Sequence, residues 1–140
     1  MSDDKLVAIL NKRLDPGVAL NAAAHMAIGL GARVATEPGA LERLALQNYA
    51  DADGGSHPHI SGLSLIVLRA SESQLRRARE QLLDVAFVVD FHEGMTGGDY
   101  RDQLARSLTM SAADLNFFGV CALGRRDELD PITKRLSLWR

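Results

Sequence analysis

Two polar stretches of this sequence carry the residue types that chemistry needs. The first runs from Asp90 to Gly98 and holds the imidazole of His92, the carboxylates of Asp90 and Glu93, the hydroxyl of Thr96 and the glycines Gly94, Gly97 and Gly98. Glycine lacks the Cβ that keeps a ligand off the main chain, so backbone N–H groups in such a run can approach one closely. The second is Asn11-Lys12-Arg13, an amide and two cations directly after an apolar run. A surface loop with turn glycines and solvated charges is the competing reading of the first stretch.

Further candidates lie outside these stretches. His25 falls in the middle of a helical pattern, where it serves acid–base work or substrate contact, or else hydrogen-bonds one carbonyl at the edge of the core. His57-Pro58-His59 places two imidazoles on one side of an extended segment. A metal would need a third ligand, from His92, Asp51 or Asp53, and none is evident, so no metal site is assigned. Asp51-Ala52-Asp53-Gly54 imitates part of a calcium loop, but Gly62 stands where the bidentate Glu belongs and the glycine comes two places early. Cys121 lies inside an apolar run and reads as a small hydrophobe. Arg76, Arg77 and Arg79 read as an exposed helix face. No G-x-S-x-G, P-loop or G-x-G-x-x-G run occurs, and no cofactor is assigned.

Composition narrows the classes. The 140 residues fit one α/β domain spanning 1–140, and 46% hydrophobic with 24% charged is the balance of a folded globular chain. Sixteen basic against eighteen acidic residues argue against a broad nucleic-acid footprint, and 5% aromatics against a base-stacking platform. A single cysteine excludes an intramolecular disulfide framework. No unbroken apolar run approaches the roughly 20 residues that span a bilayer, and the opening Met1-Ser2-Asp3-Asp4 is acidic where a signal peptide is basic. The expectation is a cytoplasmic protein with no membrane partner.

The elements that must position these groups follow from periodicity. Lys5–Leu10 is a strand buried on both faces. Asp15-Pro16 opens a helix expected to stop near Gly29 and Gly31, with Val18, Ala22, Met26 and Leu30 inward. Pro38–Leu46 reads as a short helix, and Leu46–Ala50 as its end or as a strand. Leu63–Leu68 is a strand; Ser71 with Gln74 is a capping box for a helix reaching Leu83. Val85–Asp90 is the third buried strand. Asp99 caps a helix with Tyr100, Leu104 and Leu108 on one side, Asn116–Leu123 is the fourth strand, and Asp127–Lys134 is helical. Leu136–Trp139 closes as an edge strand whose Leu136, Leu138 and Trp139 offer a surface for a homodimer. The sum is a mixed sheet of four to five strands flanked by helices. Ligands of open α/β sheets gather beyond the carboxyl ends of the strands, so Asn11, Lys12, His25, Asp90 and Gly94 are the expected ligand-binding residues around one rim.

The segment Lys5–Gly29, with its apolar strand, its alanine-rich helix and His25, resembles the opening of type II peptidyl-tRNA hydrolases. Phe118–Gly124, Asp127–Thr133 and Leu136–Leu138 look like that family's last strand pair around a short helix. Asp51–Ser61 and the Phe91 loop with Thr96 are more similar to a sister branch of uncharacterised bacterial proteins, catalogued as a domain of unknown function. The resemblance implies a three-layer α/β sandwich and covers most of the chain. Aligned on His25, Gly17 matches the hydrolases' glycine, but Val18 replaces their lysine and Ala22 their glutamine. In His92-Glu93-Gly94-Met95-Thr96 the glycine and threonine match, and the aspartate does not. A hydrolase on this plan would use His92, Glu93 and Thr96 as its catalytic set, with His92 the base and Lys12 the cation. Three functions therefore stand: binding of a small molecule or peptide-like ligand at the rim, hydrolysis of an ester or amide with tRNA as a possible partner, and self-association.

Overall fold

Strand β1 (Asp4–Asn11) is apolar because helices cover both of its faces. In the computed structural model, which describes residues 3–140 with the His59 side chain excepted, Leu6, Ala8 and Leu10 face one helical layer and Val7 and Ile9 the other. β1 lies at the centre of a five-stranded mixed sheet with β4 (Leu65–Ala70), β5 (Ala86–His92), β6 (Phe117–Arg125) and β7 (Ser137–Leu138), in the order β5-β6-β1-β4-β7. β1 runs parallel to β4 and antiparallel to β6, and β5 is antiparallel to β6. The carboxyl ends of β1, β4 and β5 therefore share one rim.

Helix α1 (Pro16–Thr36) covers the first face through Ala19, Ala22, Met26, Leu30 and Val34. Helices α2 (Glu72–Leu83) and α4 (Arg126–Thr133) cover the second, with Leu75, Ala78, Leu82 and Leu129 inward. The fourth helix, α3 (Tyr100–Ser107), has no buried residue, and the side that carries Tyr100, Leu104 and Leu108 is exposed. By length and composition α1 is apolar enough to cross a membrane; here its inner stripe is the lid of a sheet core.

α1 does not stop at its glycines. An added Cβ at Gly29 would lie 3.3 Å from Val89 Cγ1, so this glycine serves close packing of helix on strand. The stop is Pro38, which disfavours a helical conformation at Glu37; that residue is extended at φ −90°, ψ 125°. Asp15 is extended as an N-cap should be but makes no side-chain cap bond, and Pro16 at the first turn suffices. Val18 lies at the surface, and Ala19 takes the inner position expected for it. The capping box of Ser71 with Gln74 forms as expected, and Asp99 forms a second one with Asp102.

Instead of a helix over Pro38–Leu46 there is one 3-10 turn (Leu41–Leu44), then a hairpin of β2 (Leu46–Ala50) and β3 (Ser56–Ser61). This pair forms its own two-stranded sheet. Gly62 N–H donates to the Ala45 carbonyl at 2.7 Å, and the Ser61 hydroxyl donates to that of Leu44, pinning its base.

Candidate functional site

Both polar stretches reach the common rim, yet they open into separate grooves. The larger is a crevice of about 760 Å³ between α1, the end of β5 and the start of α3. Val18, Met26, Val89, Phe91 and Met95 give it an apolar floor, and Asn21, His25, Thr96, Tyr100 and Gln103 add hydrogen-bonding groups. Gly17, Asn21 and His25 recur at four-residue spacing, so α1 presents them as one ridge. His25 is exposed, not held at the core edge, and its ring centroid is 6.0 Å from that of Phe91. Phe91 in turn stacks on Phe118 at 6.1 Å.

The loop after β5 forms the opposite wall. A β-bulge between Phe91 and His92 ends the regular ladder with β6, a common device for redirecting side chains next to a site. A 3-10 turn (Glu93–Met95) follows, in which the Thr96 hydroxyl and Thr96 N–H both donate to the Glu93 carbonyl. Gly97 and Gly98 take positive φ of 63° and 71°, which only glycine adopts without strain. Arg106 of α3 donates to the carbonyls of Thr96 and Gly97 and ties the loop to the helix.

His92 and Gly94 are structural members of this loop. His92 is buried and edge-on to Phe117, and its Nδ1 accepts a hydrogen bond from Gly94 N–H at 3.1 Å. An acceptor Nδ1 carries no proton, so the ring is the Nε2–H tautomer. Glu93 is half-buried, its N–H donating to the Asn116 carbonyl. Neither His92, Glu93 nor Gly94 lines the crevice, whereas Thr96 does. Asp90 contributes main chain only, because its carboxylate turns to the opposite face and accepts from Arg79 Nε at 2.7 Å.

Asn11 and Lys12 belong to the second groove, of about 580 Å³, on the far side of Phe118. The expected pairing of Lys12 with His92 is therefore not assembled: one is an exposed cation, the other a buried ring in a different wall. Arg76 and Arg79 do not project outward as expected. Their guanidinium carbons lie 5.1 and 4.7 Å from the Phe117 ring centroid, and Arg76 also donates to the Ala112 and Leu115 carbonyls. A cation over an aromatic face is attractive, so these arginines close the second core. Leu136 and Trp139, expected at an interface, pack against the core clusters, and Leu138 alone of the three is exposed.

Among the described residues no group of three metal-ligating side chains occurs. His57 instead sits 2.9 Å from Asp51 Oδ2, while the His59 side chain lies outside the described residues. The Gly55 N–H, then His57 and the Asp53 N–H hold the Asp51 carboxyl below its usual range. Burial pushes the Cys121 thiol up to about 12, so it is no nucleophile.

Sequence reasoning missed Asn21, Tyr100 and Gln103. The i, i+4 step from Asn21 to His25 was the available signal; α3 gave none, because Tyr100 fits an inward stripe equally well.

Among the described residues the fold and rim define a mixed α/β protein with five strands in one sheet, four helices and ligand-sized grooves at the carboxyl ends of its parallel strands. The chain belongs to the DUF2000 family of proteins of unknown function, whose model matches residues 4–140. It is similar to a solved structure of a protein of unknown function, Atu0240, from Agrobacterium tumefaciens strain C58. The TM-score is 0.81 at 24% identity, over 100% of both chains, a likeness of fold. No curated protein matches the sequence.

Proposed function

We propose that the protein binds an uncharged small molecule or peptide-like ligand in the crevice between α1, β5 and α3. One observation carries this reading: the wall offers amide, hydroxyl and imidazole groups over an apolar floor, with no lysine, no arginine and no available carboxylate among the described residues. Asn21 and Gln103 each supply a donor and an acceptor, the complement of a peptide group. His25, exposed beside Phe91, supplies a ring against which a flat or aliphatic group packs. Ligand sites are commonly apolar clefts with a few placed polar groups, and this volume falls in their range.

The test is a nitrogen-15 NMR titration with a blocked dipeptide, N-acetyl-dialanine methylamide, repeated on Asn21→Ala/His25→Ala. Saturable shifts in Asn21, His25, Thr96 and Gln103, lost in the variant, support the reading. Shifts elsewhere, or none at low-millimolar probe, overturn it.

A divergent hydrolase in the same crevice is the second reading, favoured by the placement of His25 and by the resemblance to type II peptidyl-tRNA hydrolases with their three-layer sandwich. Among the described residues His25 is the only imidazole in the crevice wall, which makes it the available base. Turnover of N-acetyl-aminoacyl-tRNA that disappears in His25→Ala would establish this reading, and absence of turnover removes it.

A further inference from the structure

We propose that the ligand of the crevice is an extended peptide that joins the free edge of β5 as a further strand, with uncharged side chains at every second position. The inference rests on the reading above and gives it a partner class. Its starting point is the direction of the main chain. Arg126 N–H donates to the Asp3 carbonyl at 2.7 Å, which fixes the phase of the β1–β6 ladder. Bonded and non-bonded pairs alternate along antiparallel strands, so Lys5/Gly124, Val7/Ala122 and Ile9/Val120 are the bonded pairs. Lys12 N–H, turned the other way to the Ala70 carbonyl, keeps the same alternation. β6 therefore turns the main chain of Leu123, Cys121 and Gly119 toward β5, where their partners are Phe87, Val89 and Phe91. The N–H and C=O groups of Ala86, Val88 and Asp90 are left pointing out of the sheet, whose order ends at β5. Among the described residues no main-chain group outside the sheet bonds to them.

Asp90 connects this edge to the crevice. Its carboxylate lies on the opposite face, 2.7 Å from Arg79 Nε, so its share of the crevice wall is main chain. The edge is also undefended. Sheets blunt their edges with short strands, lysine or proline. β7, the other edge, has only two residues, and Lys134, Arg135 and Arg140 flank it in sequence. β5 runs for seven residues without proline, lysine or arginine, and its bulge comes only at the last step. A row of outward N–H and C=O groups at this spacing is matched by the main chain of one more extended segment, the pairing by which peptides join sheet edges. Between α1 and the start of α3 a single chain enters, whereas β5 of a second copy would bring helices on both of its faces.

The register of such a strand dictates its side chains, because residues directly opposite each other share a face of the sheet. A peptide residue opposite Val89 or Phe91 points into the crevice, onto Val18, Met26 and Met95. Among the described residues no lysine, arginine or available carboxylate meets it there, so an uncharged, apolar side chain fits and a charged one does not. The residues between lie on the other face, beside the Asp90–Arg79 pair, where polar side chains are accommodated.

Amide hydrogen exchange read by nitrogen-15 NMR is the experiment, with N-acetyl-Ser-Val-Ser-Val-Ser methylamide as the probe. At saturation the Asp90 amide, and behind it Val88, should exchange roughly tenfold more slowly, while Val89 and Phe91, already bonded to β6, change little. Two further forms of the probe carry N-methyl groups on the valine or on the serine nitrogens. Successive N–H groups of a strand face opposite sides, so one form should lose affinity by roughly tenfold or more and the other keep it. Lysines in place of the valines should weaken binding by roughly tenfold or more, and undiminished affinity would overturn the side-chain rule. Saturable shifts at Asn21, His25 and Gln103 with unchanged exchange at Asp90, or equal affinity of the two methylated forms, overturn strand addition and leave the ligand-binding reading standing. Absence of those shifts with both this probe and the blocked dipeptide overturns that reading, and the inference with it. Exchange at Asp90 that slows with rising protein concentration, without peptide, gives the edge to a second copy and overturns the proposal.

Discussion

Replacing Gly94 by alanine would put a methyl group where the structure has no room for one. An ideal Cβ there lies 2.7 Å from Ser107 Oγ, 2.9 Å from His92 Cε1 and 3.1 Å from His92 Nδ1. The backbone itself is not the obstacle, since Gly94 is not among the positive-φ residues. Neither neighbour yields cheaply. His92 is 7% exposed and wedged edge-on against Phe117, and Ser107 is carried by a helix tied to the loop through Arg106. Overpacking costs about 1–3 kcal/mol, and turning the imidazole aside forfeits the Gly94 hydrogen bond, worth about 0.5–1.5 kcal/mol net. The sum is roughly 2–4 kcal/mol. At about 3 °C per kcal/mol for a domain of this size, Tm falls by roughly 6–12 °C. Thermal and urea unfolding followed by circular dichroism measures it. Adding Ser107→Ala removes the nearest atom and should recover about 1 kcal/mol, a coupling expected of side chains in contact. A single variant as stable as the parent would refute the clamped loop; a double variant no better than the single would move the obstacle to His92 alone.

Gly31→Ala should act oppositely: its Cβ meets nothing within 4 Å inside α1, so a gain of about 0.5–1 kcal/mol is expected in urea unfolding. Arg79→Ala should cost about 1–3 kcal/mol, because it strands the half-buried Asp90 carboxylate and uncovers Phe117; adding Asp90→Ala should cost less than the two singles summed. Cys121 should resist iodoacetamide at about pH 8 in the native protein and react fully in denaturant. The folded thiol titrates only near 12 while the unfolded one titrates near 9.0, so Cys121 contributes stability below pH 9 that is lost progressively as pH rises from there toward 12. A pH series of urea midpoints on parent and Cys121→Ala isolates that loss, and parallel curves would contradict it.

How much of this could be read beforehand depended on whether the signal was local. β1 and β6 announced themselves because strands covered on both faces are apolar throughout, and the Ser71 box because a cap and its partner lie within one turn. The end of α1 was misplaced because Gly29 looks like a stop, whereas its reason for being glycine is Val89, a residue of another strand. The arginines of α2 failed for the same kind of reason: nothing near them in sequence reveals Phe117. The site suffered most. That Asn11 and His92 approach one rim followed from the strand rule, but Phe118 standing between two grooves depends on strand order and a bulge at Phe91.

Strand β6 has a consequence for the life of the chain before it is folded. It is the partner of both β1 and β5, and Ala8 pairs with Cys121 across most of the sequence. A growing polypeptide can therefore close β1 onto β4 early, but it must carry β1 with one open edge of unpaired N–H and C=O groups, bordered by the apolar side chains of Leu6–Leu10, until β6 emerges from the ribosome. Unpaired edges of that kind recruit foreign strands, and contacts so distant in sequence form slowly. During synthesis, then, a truncated or stalled product lacking β6 would be the aggregation-prone species, and a cell making this protein has reason to shield that nascent edge with a chaperone.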